Sequence, residues 1–176
     1  MSASIVYDAT VLCHCIWYFA SPTVLLEILH LLSTRSKRVC LAEWSLSTSR
    51  PSSVPHVLAA LTSATLYCHQ PDSRRNIRTI LSPQRIIKKA VEAGFALKVQ
   101  VLRSVSENVA DGIWEVRAVT HNSFAQQVED SVDDAGERAV LHALQDATRA
   151  SWVALGDAVS ISSMDVWCAV LQAAVI

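Results

Sequence analysis

The sequence predicts one α/β domain built around a mostly parallel sheet, and three observations lead to that fold class. Short apolar segments of strand length alternate with segments whose apolar residues recur at helical spacing. The predicted strands carry apolar residues on both faces, as strands of parallel sheets do. At 176 residues, 51% of them hydrophobic, the chain is long enough for one domain with a core and short for two.

The first part of the chain is predicted to run strand, helix, strand, helix, helix, strand. The three strands are expected at residues 5–13, 39–44 and 95–103. Ser21-Pro22 and Ser82-Pro83 are typical helix starts, and Gly94 is a typical helix stop. The Ser-, Thr- and Pro-rich segment 45–53 predicts a loop before the middle helix. Each crossover is long enough for a right-handed parallel connection, so the order predicts half of a doubly wound sheet.

The pattern after Arg103 leaves alternatives open. Residues 113–119 fit either a short strand or a helix capped by Asp111. Residues 124–155 fit one long helix or two helices broken at Gly136, and a last strand is expected at 164–171.

Composition excludes several classes of function. A formal net charge of -1 argues against a phosphate-binding surface, so no nucleic-acid partner is expected. The five cysteines are odd in number and scattered, which favours reduced thiols inside a cell. The apolar run 11–20 is too short to span a bilayer and has no basic residue before it. We therefore expect a soluble, cytoplasmic protein without a membrane partner.

Three segments give the sequence a family likeness. Residues 7–19 begin with Tyr7-Asp8 and continue as an apolar strand and loop, 37–44 form a second strand, and 164–167 begin the last one. In this order they resemble class I S-adenosylmethionine-dependent methyltransferases from the fourth strand of that fold onward. The resemblance implies a partial doubly wound, Rossmann-like methyltransferase sheet with strands equivalent to 4-5-7-6 and flanking helices. It also implies S-adenosylmethionine as the cofactor.

The same resemblance implies that one half of the family's domain is not represented. In the family a glycine-rich turn after the first strand and an acidic residue after the second hold the cofactor. The four glycines, at positions 94, 112, 136 and 156, form no G-x-G pair. We therefore expect residues 1–176 to form a single partial domain, truncated and inactive as an isolated chain, that binds S-adenosylmethionine weakly or not at all.

The resemblance also implies where the site lies. The segment after the fourth strand and the end of the fifth would flank the substrate side of the pocket, because ligands of open α/β sheets lie outside the carboxyl ends of the strands. His14 and Glu43 are the candidates for a catalytic base. The candidate substrate-binding residues are Cys15, Trp17, Tyr18 and Trp44. The methyl acceptor itself is not encoded in a recognisable motif.

Each of these residues has a structural alternative. His14 fits an ordinary core or surface histidine, and the three aromatic residues fit packing roles. Glu43 fits a cap on a neighbouring helix or a partner for an arginine. Cys13-His14-Cys15 is not interpreted as a metal site, because strand alternation would point His14 away from both cysteines and no second ligand pair has zinc-site spacing.

An incomplete sheet would also leave an edge. Strand 5–13 would lack its neighbour, and a long apolar edge of that kind pairs with other chains. We expect a homodimer or a partner chain along this edge. The alternative function is a non-catalytic interaction module or pseudoenzyme that uses the exposed half sheet. A third possibility, an unrelated small α/β binding domain, depends on a strand order other than 4-5-7-6.

Overall fold

The computed structural model describes residues 6–72, 75–106 and 108–174. The strands in these ranges are β1 (Thr10–Cys13), β2 (Arg38–Trp44), β3 (Phe95–Arg103) and β4 (Val166–Ala173). The α-helices are α1 (Pro22–Ser33), α2 (Val54–Tyr67), α3 (Pro83–Glu92), α4 (Asp111–Thr120), α5 (Asn122–Ser131) and α6 (Ala135–Val153). Short 3₁₀ helices cover Ile16–Tyr18 and Pro51–Ser53. None of the helices in the described part of the chain has the length and apolar character needed to cross a bilayer.

The sheet has the strand order β1-β2-β4-β3. Strands β1 and β2 are parallel, whereas β4 lies between β2 and β3 and runs antiparallel to both. In the numbering of the predicted fold this order is 4-5-7-6, so the predicted fold class is confirmed. The alternative of an unrelated small fold required a different order and is therefore wrong.

The chain divides into two compact units. A sheet unit comprises Met1–Ser45, Thr79–Arg103 and Val166–Ile176, and a helical unit comprises Leu46–Arg78 and Ser104–Asp165. The sheet unit holds the four strands with α1 and α3, and the helical unit holds α2, α4, α5 and α6. That residues 1–176 fold as one partial domain stays a prediction.

One face of the sheet is buried along its two central strands, β2 and β4. Along β2 the side chains of Val39, Leu41 and Glu43 are buried, while those between them are only partly covered. Helix α1 packs on α3, and α3 packs on β3, so both helices lie on one side of the sheet. The buried residues of α1 are Leu25 and Leu29.

The opposite face of the sheet is largely uncovered, and we call it the open face. Val11 pairs in register with Cys40, Cys40 with Val170, and Val170 with Val99, which places these side chains on one face across the four strands. Val11 is 67% exposed and Val99 56% exposed. The described residues of the sheet unit place no helix over this face. The sequence pattern predicted strands covered on both faces; the structure buries one, because both of this unit's α-helices lie on the other side.

The first strand is shorter than predicted. Regular pairing with β2 begins at Thr10 rather than at residue 5, because the chain bends at Asp8. Tyr7 still bridges to the segment before β2, since its nitrogen donates to Arg35 O (2.8 Å) and its oxygen accepts from Lys37 N (2.9 Å). Position 5 lies outside the described residues.

Most predicted helix boundaries hold, but their capping differs. Helices α1 and α3 begin at the predicted prolines, and Gly94 has the left-handed φ of +90° expected of a helix stop. The side chains of Ser21 and Ser82 make no capping hydrogen bond. Residues 111–120 form helix α4 rather than a strand, and Ala110, not Asp111, is the N-cap residue.

The long C-terminal helical stretch is two helices. The break falls at residues 132–134, just before Gly136, because Asp134 caps α6 by accepting a hydrogen bond from Glu137 N at 2.9 Å. The last strand, expected at 164–171, runs over Val166–Ala173. Strand β3 has an irregularity between Leu97 and Val99, so its apolar residues do not share one face as strict alternation predicted.

The helical unit has its own hydrophobic core. The core combines residues from all four of its α-helices with two from the connecting segments, Val132 and Ile161. The helical members are Ala59, Leu66, Val116, Val119, Phe124, Val128 and Leu141. Burial of these side chains stabilises the unit by roughly 25 cal/mol for each Å² of apolar surface removed from water.

Candidate functional site

The candidate site begins where β1 ends. After Cys13 the backbone turns at His14, whose φ of 47° lies in the left-handed region that few non-glycine residues adopt. The turn is held to the neighbouring strand because His14 N donates to Ala42 O at 2.8 Å. The 3₁₀ helix Ile16–Tyr18 follows directly. The turn therefore presents residues 14–18 at the carboxyl ends of the two parallel strands.

Glu43, the next-to-last residue of β2, connects this turn to the sheet. Its side chain is 1% exposed and lies on the buried face with Val39 and Leu41. One carboxylate oxygen, Oε2, accepts a hydrogen bond from Ile16 N (3.0 Å), and Oε1 accepts one from Trp44 N (3.0 Å). A buried carboxylate is costly unless it is hydrogen-bonded. Glu43 therefore caps the 3₁₀ helix from a different strand, as one of its structural alternatives anticipated.

The side chain of His14 lies next to those of Glu43 and Trp44. Its Nδ1 lies 3.5 Å from Glu43 Oε1, and its ring centroid lies 4.6 Å from that of Trp44 at an interplanar angle of 55°. Nδ1 is buried and completes no hydrogen bond to any described residue, although the side chain as a whole is 35% exposed. His14 Nδ1 and Glu43 Oε1 thus lie slightly too far apart for a good hydrogen bond. The exposed part of the His14 side chain consists of atoms other than Nδ1.

The residues of the 3₁₀ helix divide into buried and exposed. Trp17 is 3% exposed, and its Nε1 has no hydrogen-bond partner among the residues described here. Tyr18 is half exposed. The segment is fastened by Thr79, whose backbone nitrogen donates to Trp17 O (3.0 Å) and whose hydroxyl donates to Phe19 O (2.8 Å).

The surroundings of Cys15 change the acidity of its thiol. Burial raises the pKa of the Cys15 thiol, and the negative charge of Glu43 raises it further. A neutral thiol is a weak nucleophile, so Cys15 fits a lining residue better than a reactive one.

The structure thus brings together four of the six predicted residues, His14, Cys15, Glu43 and Trp44, and places Trp17 and Tyr18 in the adjoining 3₁₀ helix. Their assigned roles stay predictions. The backbone partners of the site, Ile16 N and Ala42 O, and the anchor Thr79 were not among the predicted residues. Backbone partners carry no side-chain signal, and nothing around Thr79 marks it in the sequence.

Other features lie elsewhere. In the described ranges no cluster of three His, Cys, Asp or Glu side chains is arranged to hold a metal ion. A cavity of about 870 Å³ is lined by Lys37, Lys98 and Gln172 among others, at the edge of the sheet where β2 and β3 begin. Ligands of open α/β sheets lie at the carboxyl ends of the strands, so we do not place the site in that cavity.

Comparison with known proteins confirms the family resemblance. Methyltransferase phomM of Diaporthe leptostromiformis is 29% identical over 188 residues, covering 94% of this chain and 49% of that protein. Methyltransferase phomM' of the same organism is 30% identical, with the same coverage. No family model matches.

A solved structure shares the fold. A cyclopropane-fatty-acyl-phospholipid synthase-like protein from Lactobacillus casei superposes with a TM-score of 0.75 at 20% identity, over 97% of this chain and 57% of that one. The chain therefore carries the C-terminal half of a class I methyltransferase-like α/β domain. It spans about half the length of the curated relatives it matches.

The described residues fit only part of what the family's cofactor needs. At the end of β1, two buried nitrogens, His14 Nδ1 and Trp17 Nε1, complete no hydrogen bond to described residues. The glycines with positive φ in the described ranges are Gly94, before β3, and Gly156, after α6, and neither follows a parallel strand. The described residues thus contain no glycine-rich turn after a parallel strand.

Proposed function

We propose that this chain supplies the acceptor side of an S-adenosylmethionine-dependent methyltransferase, and that residues outside it supply the glycine-rich turn and the acidic residue, together called the cofactor cradle. The observation that carries the proposal is the position of the His14–Glu43–Trp44 cluster beside an open sheet edge. Within the described residues β1 pairs only with β2, and Val11 at its centre is 67% exposed.

The proposal places the cofactor cradle at the open edge of β1. In the family, the strand next to the fourth strand is the first, and its carboxyl end carries the glycine-rich turn. A strand added along β1 would bring that turn beside His14 and Cys15. The open face would then need helices from the same added segment to cover Val11 and Val99. Because the relatives are about twice as long as this chain, a cofactor-bearing segment fits this edge better than a second copy does.

The residues of the site take roles in this proposal. His14 accepts a proton from the methyl acceptor, because its ring is partly exposed at the carboxyl end of the sheet. Cys15, Trp17, Tyr18 and Trp44 line the acceptor side. Methyl transfer depends mainly on aligning the acceptor with the methyl group, which such a wall does by shape. The bound cofactor supplies the methyl group. A cytoplasmic location is part of the same proposal, and the five unpaired cysteines support it.

Calorimetric titration with S-adenosylmethionine, combined with light scattering, tests the proposal. The chain by itself is expected to show no saturable cofactor binding, whereas full-length methyltransferase phomM serves as a positive control. Micromolar binding by a monomer of this chain would overturn the proposal, because a complete cradle would then lie within it. Absence of binding under conditions in which the control binds supports it.

The open face also favours a second candidate function, a non-catalytic interaction module or pseudoenzyme. Here the apolar surface around Val11, Val99 and Val101 would be the docking surface itself. The two functions differ in the partner. A stable partner with a glycine-rich turn after a β-strand supports the methyltransferase, and a partner without one supports the interaction module.

A further inference from the structure

We propose that Glu43 is a positioning residue, which holds the His14 imidazole with its Nδ1–H toward the carboxylate and so leaves Nε2 as the atom that accepts a proton from the methyl acceptor. This inference rests on the proposed function. Of the two candidate bases, His14 is then the base, and Glu43 acts by orienting it.

The geometry of the carboxylate argues against Glu43 as the base itself. The side chain is 1% exposed, and each of its oxygens already accepts a backbone hydrogen bond, from Ile16 N and from Trp44 N. A general base must come within hydrogen-bond reach of the proton it removes. An acceptor molecule would have to displace the 3₁₀ helix or the end of β2 to reach Glu43.

The same anchoring suits Glu43 for orienting a neighbour. A carboxylate oxygen accepts more than one hydrogen bond, so Oε1 can serve both Trp44 N and His14 Nδ1. The latter lies at 3.5 Å, a few tenths of an ångström beyond a good hydrogen bond. Because two backbone groups fix the carboxylate, a small rotation of the ring is enough to complete the contact.

The ring is restrained by other contacts as well. The left-handed backbone of His14 and its bond to Ala42 O fix where the side chain leaves the chain, and the Trp44 ring stands 4.6 Å away. Which nitrogen of a histidine carries the proton is set by the partner of the other nitrogen. With a carboxylate at Nδ1, the neutral ring carries its proton there, and Nε2 keeps its lone pair.

The tautomer of His14 can be measured directly by long-range ¹H–¹⁵N correlation NMR of this chain, at a pH where the imidazole is neutral. The expected result is a majority Nδ1–H form, opposite to the Nε2–H form that free histidine prefers. A majority Nε2–H form in the wild-type chain overturns the proposal, whatever any variant does.

Variants separate orientation from folding. Glu43→Leu removes both acceptor oxygens and is expected to return His14 toward the Nε2–H form while leaving the tautomer of His142, which is close to Glu129 rather than Glu43, unchanged. An unchanged His14 signal in folded Glu43→Leu overturns the proposal. If this variant loses its dispersed spectrum, the wild-type tautomer still decides. Because this readout needs neither cofactor nor turnover, its outcome is independent of the titration that tests the proposed function.

Discussion

The imidazole of His56, on α2, accepts a hydrogen bond at Nδ1 from the backbone nitrogen of Met164, 2.9 Å away and 108 residues later in the sequence. The side chain is fully buried, and its Nε2 lies 3.2 Å from Glu115 Oε2. Because Nδ1 acts as an acceptor, the neutral ring carries its proton on Nε2. His56 thus fixes the segment before β4 to two helices of the helical unit.

Replacing this histidine should therefore destabilise the protein. His56→Ala leaves the Met164 N–H without its partner and opens a cavity, and we expect a loss of about 2–4 kcal/mol in the free energy of unfolding. The midpoint of urea unfolding measures it. The matched control is His142→Ala, which removes a partly exposed pair with Glu129 and should cost at most about 1 kcal/mol. Equal losses in the two variants would contradict the assignment.

Two helical glycines should respond differently to alanine. A Cβ at Gly112 in α4 would lie 2.8 Å from the backbone oxygen of Ser162, which cannot move without disturbing its loop. Gly112→Ala should therefore cost about 1–3 kcal/mol despite the better helix propensity of alanine. At Gly136 the nearest atom is Asp134 Oδ1, 3.0 Å away, the oxygen that caps α6, and it has to give by only a few tenths of an ångström. The weakened cap and the better helix propensity of alanine offset each other, so Gly136→Ala should stay within about 1 kcal/mol of wild type. Thermal unfolding of both variants compares them; a Gly112→Ala protein as stable as Gly136→Ala would show that the close approach is absent.

The Cys15 thiol should react slowly with alkylating reagents. Burial and the Glu43 carboxylate both raise the pKa of Cys15, so at neutral pH less of it is thiolate than is usual. The rate at which Cys15 reacts with iodoacetamide should increase at a higher pH than the rate of the exposed Cys68 does. In Glu43→Gln one of the two causes is removed, and the midpoint for Cys15 should move to lower pH. Mass spectrometry of the labelled peptides gives both rates, and coincident profiles for the two cysteines would refute the prediction.

The pair of Asp8 and Lys37 should be visible in acid titration. Lys37 Nζ donates to Asp8 Oδ1 at 2.7 Å, which lowers the pKa of Asp8 in the folded chain. A lowered folded pKa means that the pair stabilises the fold above the ordinary aspartate pKa and loses that effect as the pH falls through the lowered value. In Lys37→Met the pKa of Asp8, followed by carboxyl ¹³C NMR, should rise toward its ordinary value. No rise would show that the pair does not persist in solution.

The open face should drive self-association of the isolated chain. Val11 lies on the open face of the edge strand β1. Val11→Lys therefore places a charge on this surface and should lower the apparent mass in light scattering. Val153, at the end of α6, is 73% exposed and offers the same change away from the sheet. Val153→Lys should leave the apparent mass unchanged. Equal effects of the two substitutions would assign association to general hydrophobicity rather than to this face.

The sequence predicted much of the fold because its signals were local. Proline at the first turn and glycine after the last turn marked α1 and α3, and apolar runs marked β2 and β3. Where local signals conflicted, the outcome depended on distant contacts. Residues 113–119 fitted helix or strand equally, and packing against the core around Leu66 and Leu141 selects the helix. The predicted first strand was too long because its apolar pattern continues through the bend at Asp8.

For the site, the sequence by itself determined which residue types stand at the ends of two successive parallel strands, since strand order along the chain places them at one edge. Only the tertiary structure decided which hydrogen bonds and contacts these residues make. Glu43 appeared as a candidate base in the sequence, but in the structure its oxygens hold Ile16 N and Trp44 N. Hydrogen bonds to backbone groups and the covering of one sheet face but not the other depend on which segments meet in space, and a linear pattern of side chains does not contain that information.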